Sequence, residues 1–115
     1  MLEAFGNAKT VRNDNSSRFG KFIEVRFMKG KGLHSAQIVN YLLEKSRIVN
    51  QAEDERNFHI FYQLCAGLSE PEREHLKLKE IYEYKCTGLC FNIDGVDDAE
   101  EFVATKECFI ALGFD

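Results

Sequence analysis

The sequence has one proline, Pro71, no tryptophan and no run of single-sign charge, so it shows no linker, repeat or low-complexity tail. No apolar stretch approaches the ~18–20 residues of a membrane-spanning helix. Met1-Leu2-Glu3-Ala4-Phe5-Gly6 lacks the basic and apolar regions of a signal peptide, so a cytoplasmic chain with no membrane partner is expected. Positive charge is also scarce. Against 19 Asp+Glu stand 15 Lys+Arg, a formal net charge of −4, which excludes a general electrostatic attraction for nucleic acid. Any anion must be held by a local set of donors. A phosphate loop of the form Gly-x-x-x-x-Gly-Lys-Ser/Thr does not occur, because Lys9-Thr10 has Ala8 and Glu3 where the glycines would stand.

What is present suits one compact unit of mixed α/β class: 115 residues, 44% hydrophobic and 30% charged. Leu2–Lys9 reads as a short helix, and the Asn- and Ser-rich stretch over about 10–20 as a loop. Ile23, Val25 and Phe27 alternate with Glu24 and Arg26, the pattern of a half-buried strand. Gly30 and Gly32 permit a reversal, and Ala36–Leu43 is β-prone, so an antiparallel hairpin is expected over about 20–43. Ser46–Val49 reads as a third short strand.

Phe58, Phe61, Tyr62 and Cys65 recur at helical spacing and predict a helix over about 54–66. Asp54 and Glu55 would lie at its positive end, and Arg56, Asn57 and Gln63 on its polar side. Ser69-Glu70-Pro71-Glu72 begins a second helix over about 70–77. Tyr82–Asp97 is expected to be irregular, turning at Gly88 and Gly95. Asp98, with Glu101 three residues on, suits a capping box for a helix over about 98–112, a cap worth about 1 kcal/mol. Ala99, Phe102, Phe109 and Ile110 would share its buried face, and Gly113 with Phe114 suits a Schellman ending.

The chemistry concentrates in Arg12-Asn13-Asp14-Asn15-Ser16-Ser17-Arg18-Phe19-Gly20-Lys21. Amides and hydroxyls donate to phosphate oxygens, a Ser hydroxyl can enter the shell of Mg²⁺, and Arg pairs with carboxylates. On composition alone a solvated loop is the commoner meaning of such a stretch. Cys86-x-x-x-Cys90, with Cys65, Cys108, His59 and His75 in reserve, has a spacing that zinc allows but does not require. The four cysteines are read as free thiols and His59 as a packed helix residue. Asp94, Asp97, Asp98, Glu100 and Glu101 fail the twelve-residue calcium-loop pattern and suit a capped, solvated helix start.

Residue order adds what composition cannot. Leu2-Glu3-Ala4-Phe5-Gly6-Asn7-Ala8-Lys9-Thr10, followed by Arg12 through Phe22, closely resembles the helix and switch I loop of the myosin motor (head) domain. The resemblance continues through Tyr41-Leu42-Leu43-Glu44-Lys45-Ser46-Arg47, Glu55 through Leu64 and Asp94 through Phe102, and so covers essentially the whole chain. It implies part of a P-loop NTPase-type motor: switch I and part of the upper 50-kDa subdomain, with a hairpin of the central sheet flanked by helices. In the family, the residue matching Asn13 bonds nucleotide phosphate, that matching Ser16 bonds the γ-phosphate and the lytic water, and that matching Ser17 ligates Mg²⁺ through its hydroxyl. The residue matching Arg18 pairs with a switch II glutamate and closes the pocket.

The resemblance further implies ATP with Mg²⁺ as cofactor, an actin filament as partner of the intact motor, and a place in the actin cytoskeleton. No Ile-Gln motif for a light chain is present, and no Asp-x-x-Gly supplies switch II, so Arg18 has no recognisable partner in this sequence. The chain therefore reads as a segment of an ATPase, inactive alone. The alternative is a non-enzymatic interaction module derived from a myosin head. Each charge-assisted hydrogen bond is worth about 1.5–3 kcal/mol, so lacking three or four from a P-loop removes roughly 5–12 kcal/mol. A micromolar site needs about 8 kcal/mol in all. Calorimetric titration of the 115-residue chain with Mg·ATP is expected to show no binding tighter than about 10 µM.

Overall fold

A computed structural model describes residues 1–114, apart from the Asn40 side chain. Helix α1 (Leu2–Gly6) leads directly into strand β1 (Asn7–Thr10), which pairs antiparallel with β2 (Asn13–Ser17). Strands β3 (Gly20–Met28) and β4 (Gly32–Tyr41) form a separate antiparallel hairpin. A 3₁₀ turn at Lys45–Ile48 precedes α2 (His59–Gly67) and α3 (Glu70–Leu76). Two further 3₁₀ turns, Ile81–Glu83 and Lys85–Thr87, lead to α4 (Asp98–Ala111).

The first helix is shorter than its pattern suggests, and the polar stretch after it is a strand rather than a loop. Both differences have one cause. Asn7, Ala8 and Thr10 are buried, and buried backbone amides and carbonyls need partners. Asn13–Ser17 supplies them, in the register Asn7↔Ser17, Ala8↔Ser16 and Thr10↔Asn13. Backbone pairing with the buried strand just before it thus overrides the turn preference of Asn and Ser.

Helix α2 begins at His59, five residues later than the apolar spacing indicates. Residues 56–58 instead run against β1: Arg56 N donates to Lys9 O at 3.1 Å, and Phe58 forms a bridge with Ala8. Asp54 and Glu55 consequently stand outside the helix, and Arg56, Asn57 and Gln63, expected on a polar face, are buried. The third strand expected at Ser46–Val49 is a 3₁₀ turn, whose three-residue repeat puts Glu44 and Arg47 on one side, where they pair at 2.7 Å.

Ala4, Ala8, Phe58, Ile60 and Phe102 form the apolar core, with Phe61, Leu64 and Leu68 packed against it. Helix α2 crosses α4 so closely that a Cβ on Gly67 would lie 2.4 Å from the Phe102 Cβ. Thr105 Oγ1 donates to Gln63 Oε1 at 3.1 Å across the same contact. The α4 cap is Asp97, not Asp98: its Oδ1 accepts from Ala99 N at 2.8 Å and Glu100 N at 3.4 Å. Asp98 is the first helical residue, and its carboxylate is drawn to Arg56 instead. Phe102 and Thr105 are the buried residues of α4. Ala99 and Phe109 are half-buried, and Ile110 is 73% exposed.

Local signals give local structure where nothing competes. Ser69 and Glu72 close the expected capping box, with Ser69 N donating to Glu72 Oε2 at 2.9 Å. Gly113 N bonds Ile110 O and Phe114 N bonds Phe109 O, both at 3.0 Å, and the Phe109 and Phe114 rings meet edge to face at 5.3 Å. The turn segment 82–97 holds positive φ at both Gly88 and Gly95.

The β3–β4 hairpin reverses through Lys29-Gly30-Lys31, with Gly30 at φ 78°, a value that glycine tolerates and other residues resist. Its alternation is as expected, but its burial is not: Phe27 is 74% and Leu33 66% exposed. Helix α2 packs on α1, α4 and β1, and α1 on β1 and β2, so the hairpin is not flanked by helices and projects from them; with it the chain measures 54 × 34 × 25 Å. Phe58→Ala should therefore cost about 3–5 kcal/mol and abolish cooperative unfolding in denaturant. Phe27→Ala should change stability by no more than about 0.5 kcal/mol in the same titration.

Candidate functional site

Strand β2 displays the polar segment along the edge of the body. Asn13 Oδ1 accepts from Asn15 N at 2.9 Å, while its Nδ2 has no partner among the described residues. Asn15 turns inward: its Oδ1 accepts from Asn7 Nδ2 and from His59 Nε2, each at 3.0 Å, and its Nδ2 donates to Glu3 Oε2 at 2.9 Å. Burial, with Arg56 nearby, holds the His59 imidazole below its ordinary pKa, and with Asn15 Oδ1 as acceptor Nε2 is the donating nitrogen. His59 is a packing and hydrogen-bonding residue that fixes β2 from below.

Ser16 is half-buried and Ser17 exposed. Ser17 Oγ makes only a long contact, 3.4 Å to Phe19 O, which leaves its lone pairs accessible. That one hydroxyl fits a Mg²⁺ ion taking its other oxygens from phosphates and water. Among the described residues no group of three His, Cys, Asp or Glu side chains is placed to hold a metal ion. The four cysteines are free, and burial pushes the Cys65 thiol up. A cleft of about 560 Å³ borders β2, lined in part by Asp14, Asn15, Lys21 and His59. Asn13, Ser16, Ser17 and Arg18 lie outside its lining.

Arg18 has a partner within the chain, contrary to the sequence-based expectation. Its Nε donates to Glu44 Oε2 at 2.7 Å, and its Nη1 reaches Ser16 Oγ at 3.3 Å. The same Glu44 oxygen accepts from Arg47 Nε at 2.7 Å. Arg47, 4% exposed, continues to Glu55 Oε2 at 2.8 Å and to the Arg56 carbonyl at 3.0 Å. The hydrogen bond from Arg18, reinforced by Arg47, holds the Glu44 carboxyl at a pKa of about 2, and the same contact raises that of Arg18. Glu44 is not among the residues that the sequence pattern singles out. The available signal was an acidic residue three positions before an arginine, inside one of the blocks that carry the resemblance.

The segment thus gathers Ser16, Ser17, Arg18 and Glu44 at one edge, with Asn13 at the far end of the same strand. The family model for the myosin head (motor domain) matches residues 1–115. The chain belongs to the myosin head family. It is 60% identical over 109 residues to Myosin-1 of Arabidopsis thaliana, covering 93% of this chain and 9% of that protein. Identity to the Myosin-J heavy chain of Dictyostelium discoideum is 59% over 115 residues, covering 98% of this chain and 5% of that one. To unconventional myosin-Vb of Rattus norvegicus it is 55% over 115 residues, covering 98% and 6% respectively. The chain spans less than a tenth of the length of these three myosin relatives.

Glu44 also sets an acid limit on stability. Its pKa is about 2 in the folded chain against an ordinary 4.5, so its contribution is complete above about pH 4.5 and is lost as pH falls towards 2. With Glu44 about one-third exposed, that contribution is of order 1–2 kcal/mol after solvent screening. Urea titrations should show Glu44→Gln less stable than the parent by this amount at pH 6, with the two curves converging near pH 2.

Proposed function

We propose that this chain is the switch I segment of a P-loop NTPase-type myosin motor. In this reading Asn13, Ser16 and Ser17 hold the phosphates and Mg²⁺ of ATP, and Arg18 latches onto a carboxylate outside these residues. The observation that carries it is the exposed Ser17 hydroxyl beside a half-exposed Arg18, both at the edge of a strand fixed by paired backbone and by Asn15. Mg²⁺, when bound, offsets phosphate charge. Asn13 Nδ2 is a donor for a phosphate oxygen, Ser17 Oγ a metal ligand, and Ser16 Oγ a group that orients a terminal phosphate oxygen or an attacking water.

None of these residues is basic enough to remove a proton outright. Their contribution is placement and charge stabilisation, which dominate phosphoryl transfer. Arg18 latches the pocket and excludes water. The complete motor would couple hydrolysis to movement on actin. Opposing donors for the phosphates, and the carboxylate for Arg18, would come from parts of the motor outside these residues.

The test uses the intact motor that carries these residues. Arg18→Ala should slow the hydrolysis step by about a hundredfold, the scale of losing one preorganised electrostatic group. Ser17→Ala should weaken the Mg²⁺ dependence of nucleotide binding. Quench-flow measurement of the phosphate burst, together with a Mg²⁺ titration, checks both. Wild-type behaviour in both variants would remove the reading.

A further inference from the structure

We propose that Glu44 is a positioning residue for Arg18, aiming the guanidinium before the pocket closes. The inference rests on the reading of Asn13–Arg18 given above and adds a residue to it. Glu44 grips Arg18 at two points: its backbone N–H donates to Arg18 O at 2.9 Å, and its carboxylate accepts from Arg18 Nε at 2.7 Å. Arg18 N in turn donates to Gly6 O at 2.8 Å, which ties that backbone to the end of α1. Glu44 is itself held by Arg47 Nε, and Arg47 is locked into the body by Glu55 and the Arg56 carbonyl. A chain of short bonds therefore runs from the buried interior to the Arg18 side chain.

The grip leaves Arg18 able to act. Nε is taken and Nη1 touches Ser16 Oγ, but Nη2 has no partner among the described residues, and the side chain keeps 29% of its surface exposed. A guanidinium has five donors, so its outer edge can still receive a second carboxylate side by side. With Arg47 shared between Glu44 and Glu55 the group is charge-balanced as it stands, so what invites a second carboxylate is the open Nη2 edge of Arg18, not an excess of positive charge. A freely rotating arginine would have to be ordered at the moment of closure. Ordering it during folding moves that entropic cost away from the chemical step.

The test again uses the intact motor, comparing Glu44→Ala, Glu44→Asp and Glu44→Gln by single-turnover hydrolysis and by the association rate of Mg·ATP. Alanine removes the grip and aspartate keeps the charge but shortens the reach by one carbon. Both should slow hydrolysis about tenfold, with association within about twofold of the parent. Glutamine keeps an acceptor oxygen at the same reach and should stay within about threefold of the parent. Aspartate at the parent rate, or glutamine as slow as alanine, overturns the proposal, and the aspartate arm decides even if the alanine variant does not fold. Arg18→Ala run alongside separates the two readings. If it hydrolyses normally, the latch role of Arg18 falls and the positioning role with it. If it is impaired while the Glu44 variants are not, only the positioning role falls.

Discussion

Two guanidinium groups, those of Arg47 and Arg56, lie inside a body whose buried apolar cluster is small: Ala4, Ala8, Phe58, Ile60 and Phe102. A buried cation without compensation costs several kcal/mol, so its partners are obligatory. Arg47 takes Glu44, Glu55 and a main-chain carbonyl. Arg56, with no exposed surface, takes Asp98 at 2.8 Å and lies 3.7 Å from the centroid of the Tyr62 ring, while its Nε and Nη1 have no hydrogen-bond partner among the described residues. These partners come from the residue that precedes the 3₁₀ turn, the segment before α2, α2 itself and the first turn of α4. Meeting two charges therefore dictates how four pieces of chain are arranged, and little freedom is left to the apolar contacts.

The polar interior extends from there. Tyr62 Oη donates to Thr87 O at 2.7 Å and accepts from Asn57 N at 3.0 Å, and its burial raises the phenol to a pKa of about 12. Asn57 Nδ2 donates to Cys86 O at 2.6 Å, which fastens the irregular segment before α4 to the base of α2. Directional bonds of this kind specify one geometry where apolar contacts would accept several. An edge strand proposed to present groups to a phosphate gains from such a foundation.

The features legible in the sequence are those decided within a few residues. The Ser69–Glu72 box, the Gly113–Phe114 ending and the alternation along β3 each depend on neighbours in the chain. The features that escaped are set by partners outside their own element. Asn13–Ser17 is a strand because β1 needs pairing, and α2 starts late because Arg56 reaches Lys9 and Asp98. Asp97 caps α4 because Asp98 is claimed by a residue 42 positions away. The candidate site divides the same way. Asn13, Ser16, Ser17 and Arg18 were identified by residue order, whereas Glu44, 26 positions from Arg18, is joined to it only by the fold.

The hairpin begins and ends beside that pair. Gly20 faces Tyr41 at its base, Arg18 lies two residues before one strand, and Glu44 lies three after the other, across Leu42 at φ 57°. The left-handed turn at Leu42 brings the chain back to meet Arg18, so the ion pair fastens the hairpin's root like a clasp. Any torsion applied along those two projecting ribbons must arrive at the clasp within a few bonds. Arg18 and the projecting hairpin therefore share one mechanical joint.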